Sequence, residues 1–140
     1  MSTATGLPPD TKLGPGAPRG AIGGPNAPPS RNTDNDIWAA DIHMTPNGKF
    51  LYISERTSNT IATFSVDGAS GKLAYVSSTP TERQPRGFNI DSKGRYMVVT
   101  GEKSETISVY AIDQGGGALN LLNKYPTGKG ANWVEIVSFD

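Results

Sequence analysis

Three side chains in this sequence carry the chemistry needed to open an ester: His43, Arg56 and Arg86. A guanidinium presents planar, forked N–H donors that hold an anion or polarise a carbonyl. An imidazole or a carboxylate takes a proton from water when its pKa is suitably tuned, and His43 and Glu55 are the candidates for that role. Asp41, Glu82, Gln84 and Asn89 are expected to bind substrate beside them. The set suits hydrolysis of an activated ester or lactone, which needs a polarised carbonyl and an oriented water but no cofactor and no metal. Plainer roles are open at the same positions. His43 can be a buried hydrogen bonder, Glu55 and Arg56 a loop ion pair of little worth, and Arg86 a tie between neighbouring units.

What would bring these residues together is a repeat. Shifted by 46 positions, the chain lies on itself without a gap: Gly48 on Gly94, Phe50 to Ile53 on Tyr96 to Val99, Phe64 on Tyr110, Asp67 on Asp113, Pro80 on Pro126. Turn signals at Pro46-Asn47-Gly48, Asp67 to Gly71, Ser92-Lys93-Gly94 and Gln114 to Gly117 cut each unit into short runs rich in Val, Ile, Tyr, Phe and Thr. Strands are predicted over 40–45, 50–56, 61–66 and 73–78, then 87–91, 96–101, 107–112 and 119–124. The second strand of each unit is apolar on both sides, so each sheet must be covered on both faces. A period in the forties with four strands per unit predicts an all-β propeller fragment.

The expected organisation is a Pro/Gly-rich loop or disordered segment over 1–35, one blade over 36–80, a second over 81–127, and a closing strand over 128–140. The same shift places Val134-Glu135-Ile136 on Phe88-Asn89-Ile90, making that last piece the first strand of a third blade. In an up-and-down blade, the link into the first strand and the link between the second and third share one end. The candidate residues fall on those links, so they are expected to converge at one mouth of the central channel.

Composition narrows the classes. Lys plus Arg and Asp plus Glu number 13 each, so the chain lacks the basic excess of a nucleic-acid binder. It has no cysteine and a single histidine, which argues against thiolate and His-based metal sites. No apolar run approaches a membrane span, the N-terminus lacks the pattern of a secretory signal, and a cytoplasmic location is expected. Residues 1–30 hold seven of the 11 prolines and few large apolar residues, too few to offset the entropy of ordering. "GAPRGAIGGP" follows no strand and "GEKS" has the wrong spacing, so neither is a phosphate loop. Glu102, Lys103 and Glu105 read as a solvated turn, and Trp38 and Trp133 as packing between blades.

The phrases "WAADIHMTPNGKFLYISERTSNTIATFSV", "TERQPRGFNIDSKGRYMVVTGEKSETISVYAID" and "GKGANWVEIVSFD" resemble the C-terminal end of the bacterial seven-bladed-propeller 6-phosphogluconolactonases. "AADIH" and "QPRGF" are the most specific of them, and "LPPD" at 7–10 is similar to the connector that precedes this region. The resemblance covers Asp36 to Asp140. It implies hydrolysis of 6-phosphoglucono-1,5-lactone to 6-phosphogluconate in the pentose phosphate pathway, without a metal, with His43, Arg56 and Arg86 at the channel mouth. The implied partner is a small phosphorylated sugar lactone, not nucleic acid or a membrane. About five blades would then be absent, leaving faces to be covered by missing blades or by self-association. Two alternatives stand beside this one: a non-catalytic binding module or inactive fragment, and a relative of the enzymes that form lactones from carboxymuconate.

Overall fold

The computed structural model describes residues 36–139; the expectation for residues 1–35 falls outside them. Eight strands form two four-stranded antiparallel meanders. The first contains β1 (Ala39–Met44), β2 (Phe50–Glu55), β3 (Thr60–Val66) and β4 (Leu73–Pro80), and the second β5 (Pro85–Ile90), β6 (Tyr96–Gly101), β7 (Thr106–Ile112) and β8 (Leu119–Pro126). The predicted strands are all present, with ends displaced by one or two residues. A bulge interrupts the first pairing of each sheet. The ladder slips between Ala39 and Ile42 and again, one repeat later, between Pro85 and Phe88.

The repeat extends to the register itself. Ile42 faces Ile53 as Phe88 faces Val99, Leu51 faces Phe64 as Met97 faces Tyr110, and Thr60 faces Pro80 as Thr106 faces Pro126. Turn chemistry pins it. Asn47 Oδ1 accepts from Thr45 Oγ1 and from the Lys49 amide, closing the first hairpin. Asp91 Oδ1 does the same work in the second sheet, accepting the Arg95 and Tyr96 amides.

Side-chain alternation then decides which faces meet. On one face of the first sheet lie His43, Phe50, Tyr52, Ser54 and Ile61; on the opposing face of the second lie Phe88, Met97, Val99, Ser108 and Tyr110. These two faces close on each other and bury the core: Tyr52, Ile61, Met97 and Val99 are fully buried, and Phe88 is 1% exposed. Equivalent residues on the uncovered faces have a different fate. Ile42 occupies the repeat position of Phe88 yet is 57% exposed, and Met44 is 53% exposed. The difference is the presence of a neighbouring sheet, not the residue type. Each blade is apolar on both sides, as the two-sided strands predicted.

Polar ties cross the interface where the chain passes from one blade to the next. The Tyr52 hydroxyl donates to the Gly117 carbonyl at 2.8 Å, and burial, aided by nearby Asp113, pushes its phenol far above the ordinary range. Tyr110 Oη lies 2.9 Å from Thr81 Oγ1, and the Thr81 amide donates to Asn59 O.

The segment after β8 differs from the expectation. Residues 128–139 form no strand ladder. They lie along β5: Asn89 Nδ2 donates to the Val134 carbonyl, Ser92 Oγ lies 2.7 Å from Ser138 Oγ, and a Cβ on Gly87 would stand 2.5 Å from Asn132 O. Asn89 meets Val134 one repeat on from where His43 meets Phe88, so the segment holds the place of a third inner strand while lacking the hairpin partner that would define it. Trp133 does not pack between blades; it is 77% exposed for want of that partner blade.

Gly117 separates turn geometry from packing. Its φ is +76° and a Cβ there would meet the Phe50 ring at 2.5 Å, whereas Gly71, the same turn position one repeat earlier, has φ +67° and open space. Gly71→Ala is expected to cost about 1 kcal/mol through its left-handed backbone alone. Gly117→Ala should cost roughly 2–4 kcal/mol, because the intruding methyl displaces Phe50 as well. Urea unfolding of both variants checks this; equal losses would mean that the blade contact at Phe50 is slack.

Candidate functional site

At one end of the two sheets, the β2–β3 turn, the linker into β5 and the β6–β7 turn come together. The β1 bulge turns Asp41 toward the second blade, where its Oδ2 accepts the Phe88 amide at 3.2 Å and lies 3.2 Å from His43 Nε2. The His43 ring stands edge-on to Phe88 with centroids 4.9 Å apart. His43 is about one-third exposed, as is Asp41. With Nε2 directed at Asp41, Nδ1 is the nitrogen left to accept a proton.

Arg86 is set beside this pair by one hydroxyl. Ser54 Oγ accepts the Asp41 amide at 3.0 Å and donates to the Arg86 carbonyl at 3.4 Å. The Arg86 guanidinium, half-exposed, reaches Glu102 Oε1 at 3.3 Å, and Arg56 approaches the other oxygen at 3.9 Å. Glu102 therefore serves two guanidiniums, one from each blade. Arg56 and Glu102 are the same position of successive repeats with opposite charge, so the blade stacking itself presents one to the other. The Arg56 guanidinium also lies over the Trp38 ring at 5.5 Å, and its buried Nε has no partner among the described residues.

Next to Arg56 opens a cleft of about 350 Å³ lined by Trp38, Arg56, Thr57, Asn59, Arg83, Gln84 and Lys103. Its size falls at the lower end of small-molecule sites. Three of these residues are cations and none is a carboxylate. Two are also the non-glycine residues at positive φ among the described residues, Asn59 at 59° and Gln84 at 49°. The Gln84 amide donates to Asn59 Oδ1 at 2.7 Å, which holds both backbones in place. The left-handed region is one that asparagine enters readily, whereas at Gln84 it is uncommon and persists where surrounding structure over-determines it, as at ligand sites.

Three predicted site residues have other employment. Glu55 is 5% exposed; its Oε1 accepts the Trp38 and Thr57 amides and its Oε2 the Ser58 amide. Burial alone would raise its pKa, but the hydrogen bonds from Ser58, Thr57 and Trp38 outweigh that and hold the carboxyl below the ordinary 4.5. A carboxylate so held orders the turn that carries Arg56 and is a poor proton acceptor. Glu82 points away from the mouth into the second blade and is 3% exposed. Its oxygens accept from Ser108 Oγ at 2.5 Å and Thr106 Oγ1 at 2.9 Å and face Lys124 Nζ at 3.2 Å. Here too burial raises the carboxyl and the hydroxyls of Ser104, Ser108 and Thr106, with Lys124, lower it further. Asn89 is spent on Val134 and on its own neighbour Ile90. Gln84 lines the cleft. Sequence reasoning passed over Ser54, Arg83, Glu102 and Lys103; the opposite charges at the repeat-equivalent positions 56 and 102 were a signal for the third of these.

Among the described residues no group of three or more His, Cys, Asp or Glu is placed to hold a metal, and no helix is long and apolar enough to cross a membrane.

Blade-on-blade stacking, a polar mouth and a matching family profile define the class. The profile of the "Lactonase, 7-bladed beta-propeller" family matches residues 25–136, and the chain belongs to that family. It is 54% identical over 101 residues to a 6-phosphogluconolactonase of Serratia proteamaculans, covering 72% of this chain and 30% of that protein. A 6-phosphogluconolactonase of Yersinia enterocolitica is 50% identical over 113 residues, 81% of this chain and 34% of the relative. The chain thus spans about a third of the length of the curated relatives it matches. Among solved structures it resembles the periplasmic gluconolactonase of Pseudomonas aeruginosa, with TM-score 0.64 and 29% identity over 69% of this chain and 27% of that one. A Bacteroides fragilis protein provisionally assigned as a 6-phosphogluconolactonase gives TM-score 0.68 and 31% identity over 71% and 28%.

The two carboxylates give a pH signature. Both folded pKa values lie below the unfolded one, so their stabilisation is fully present above about pH 5 and drains as pH falls through the folded values. Glu82→Gln is expected to lower stability at pH 7 by about 1–3 kcal/mol and to flatten the loss of stability between roughly pH 5 and 3. Thermal melts across that range check it; a variant with an unchanged acid limb would remove Glu82 from the stabilising network.

Proposed function

We propose that this chain supplies two blades of a cytoplasmic lactonase that hydrolyses 6-phosphoglucono-1,5-lactone to 6-phosphogluconate. The single observation that carries the reading is that one hydroxyl, Ser54, ties the backbone of the His43–Asp41 strand to the backbone of half-exposed Arg86. The half-exposed Arg86 guanidinium keeps donors beyond the one that Glu102 engages, and one of them donates to the lactone carbonyl oxygen, where charge builds as the carbon becomes tetrahedral. His43, oriented by Asp41, takes a proton from water through Nδ1 as the water oxygen bonds to C1. The C1–ring oxygen bond then breaks, and the imidazolium returns the proton to the departing ring oxygen. Atoms and charge balance with water as the sole co-reactant. Glu102 keeps the Arg56 and Arg86 guanidiniums from repelling each other before substrate arrives.

The names of the Serratia and Yersinia relatives support the substrate, and a dianionic sugar phosphate cannot cross a bilayer unaided, which supports the cytoplasm and the pentose phosphate pathway. The remaining blades, or a second copy, would cover the open faces bearing Ile42 and Met44.

The test is kinetic, on the complete propeller that carries these blades. Arg86→Ala is expected to lower kcat/KM for the phosphorylated lactone by roughly 10²–10³-fold, the effect of removing one donor to a developing oxyanion. His43→Ala should act mainly on kcat. The melting temperature of Arg86→Ala should stay within a few degrees, because the side chain lies half in solvent. Unchanged turnover in both variants would sink the assignment, and background hydrolysis by the unaltered protein would leave a binding module in its place.

A further inference from the structure

The cations around the mouth fall into two groups. Arg86, with His43 and Asp41, belongs to the inner strands. Arg83 and Lys103 belong to the links above them, and Arg56 touches both groups through Glu102 and through the cleft. Arg83 stands three residues before Arg86, yet Gln84 at φ 49°, the rigid Pro85 and the β5 bulge turn the two side chains to different sides. The Arg83 and Lys103 side chains are exposed and make no hydrogen bond or ion pair to the described residues. Of the three cations that line the concavity, Arg56 is already shared with Glu102, whereas Arg83 and Lys103 present donors with no carboxylate partner among the described residues, a local excess of positive charge that draws an anion.

The concavity is shaped as well as charged. Its Arg56 wall is fixed: the guanidinium lies on Trp38 and its Nε is buried without a partner. Its floor is fixed by the Asn59–Gln84 bond, with Gln84 held at an uncommon positive φ. The Lys103 amide donates to the Arg83 carbonyl at 3.2 Å, so the two flexible cations rise from one backbone junction. Rigid and flexible donors at one point suit a compact group with several equivalent oxygens, which is the shape of a phosphate monoester. A carboxylate would occupy two donors and leave the others unmatched.

We propose that the Trp38–Arg56–Arg83–Lys103 cleft is the seat of the phosphate group of a phosphorylated aldonolactone, and that it sets the preference for phosphorylated over unphosphorylated sugars. The inference rests on the lactonase reading for the identity of the sugar, but not for the presence of an anion site. The lactone carbonyl then lies at the Arg86 and His43 end, with Arg56 between the two ends of the substrate.

Isothermal titration of the 140-residue chain with 6-phosphogluconate and with gluconate tests it. Both compounds carry the carboxylate, so the difference between them reports the phosphate. The unaltered chain is expected to bind 6-phosphogluconate at least about tenfold more tightly than gluconate, a preference that weakens with salt as exposed cations are screened. Arg83→Gln with Lys103→Met should bring the two affinities to within about threefold, while the thermal melt stays unchanged because neither side chain supports the fold. Arg83→Gln alone should remove part of the preference. Equal affinity for the two compounds in the unaltered chain, or a preference that survives in the double variant, would overturn the proposal. The outcomes also separate the two readings. Phosphate-dependent binding without lactone hydrolysis in the complete propeller keeps the subsite and loses the enzyme. Hydrolysis without a phosphate preference keeps the enzyme and loses the subsite.

Discussion

The closure of one apolar sheet face on the next is the constraint from which the rest follows. Tyr52, Ile61, Phe88, Met97 and Val99 lose essentially all contact with water only because the two sheets lie face to face. Burial of a large apolar side chain stabilises by about 1.5–3 kcal/mol, so this cluster outweighs any ion pair at the mouth, where exposed pairs contribute about 0–1 kcal/mol each. The polar ties across the same interface, Tyr52 to Gly117 and Asp41 to the Phe88 amide, do not drive the stacking. They fix its register. Asp41 can do this because the β1 bulge turns it toward the partner blade, and the second blade has a glycine at that position. Gly87 is needed there because the chain returns past it at Asn132.

Stacking also decides which charges meet. Two sheets related by one repeat present equivalent positions to one another. An arginine at position 56 and a glutamate at position 102 are therefore neighbours by construction, and Arg86 joins them from the start of β5. The site is a consequence of the repeat plus the places where the repeat fails. Departures from repetition do not by themselves mark chemistry, however. Position 55 is glutamate and position 101 glycine, and both are structural. Glu55 gathers the loose amides of its own turn. Gly101 stands where a Cβ would lie 2.7 Å from Glu82 Cβ and 2.8 Å from Ser104 Oγ, so its missing side chain makes room for Glu82 to enter the second blade. Each blade orders its upper turn with one buried carboxylate, brought in by different routes.

That difference explains what could be read from the residues and what could not. The strands, their order and their pairing were legible because a 46-residue offset carries apolar alternation and turn chemistry together, and neither depends on distant contacts. Arg56 and Arg86 were legible as neighbours from topology alone. Glu55 and Glu82 were misread for one reason: proximity to the mouth was taken as facing it. Backbone amides of Trp38, Thr57 and Ser58, and hydroxyls of Ser104, Thr106 and Ser108, carry no sign of their orientation in the sequence, yet they decide where a carboxylate goes. Trp133 was misread because its burial needs a neighbour that the described residues do not include. Lys103 was taken for an ordinary solvated turn residue; exposed it is, but its turn is backbone-bonded to the Arg83 linker.

The cleft takes its meaning from the same geometry. A linker that joins two stacked blades must cross the top of their interface, and here it does so with Arg83, Gln84, Pro85 and Arg86 in succession. The crossing turns at Gln84, whose left-handed conformation is uncommon for a non-glycine residue. The turn is held by Asn59, which binds the Gln84 amide with its side chain and the Thr81 amide with its backbone. The hydrogen bonds that make the blade crossing possible thus also fix the spacing between one cation facing the cleft and another facing the inner strands. A substrate with negative charge at one end and a polarisable carbonyl at the other meets a surface whose two halves are already set apart by the fold.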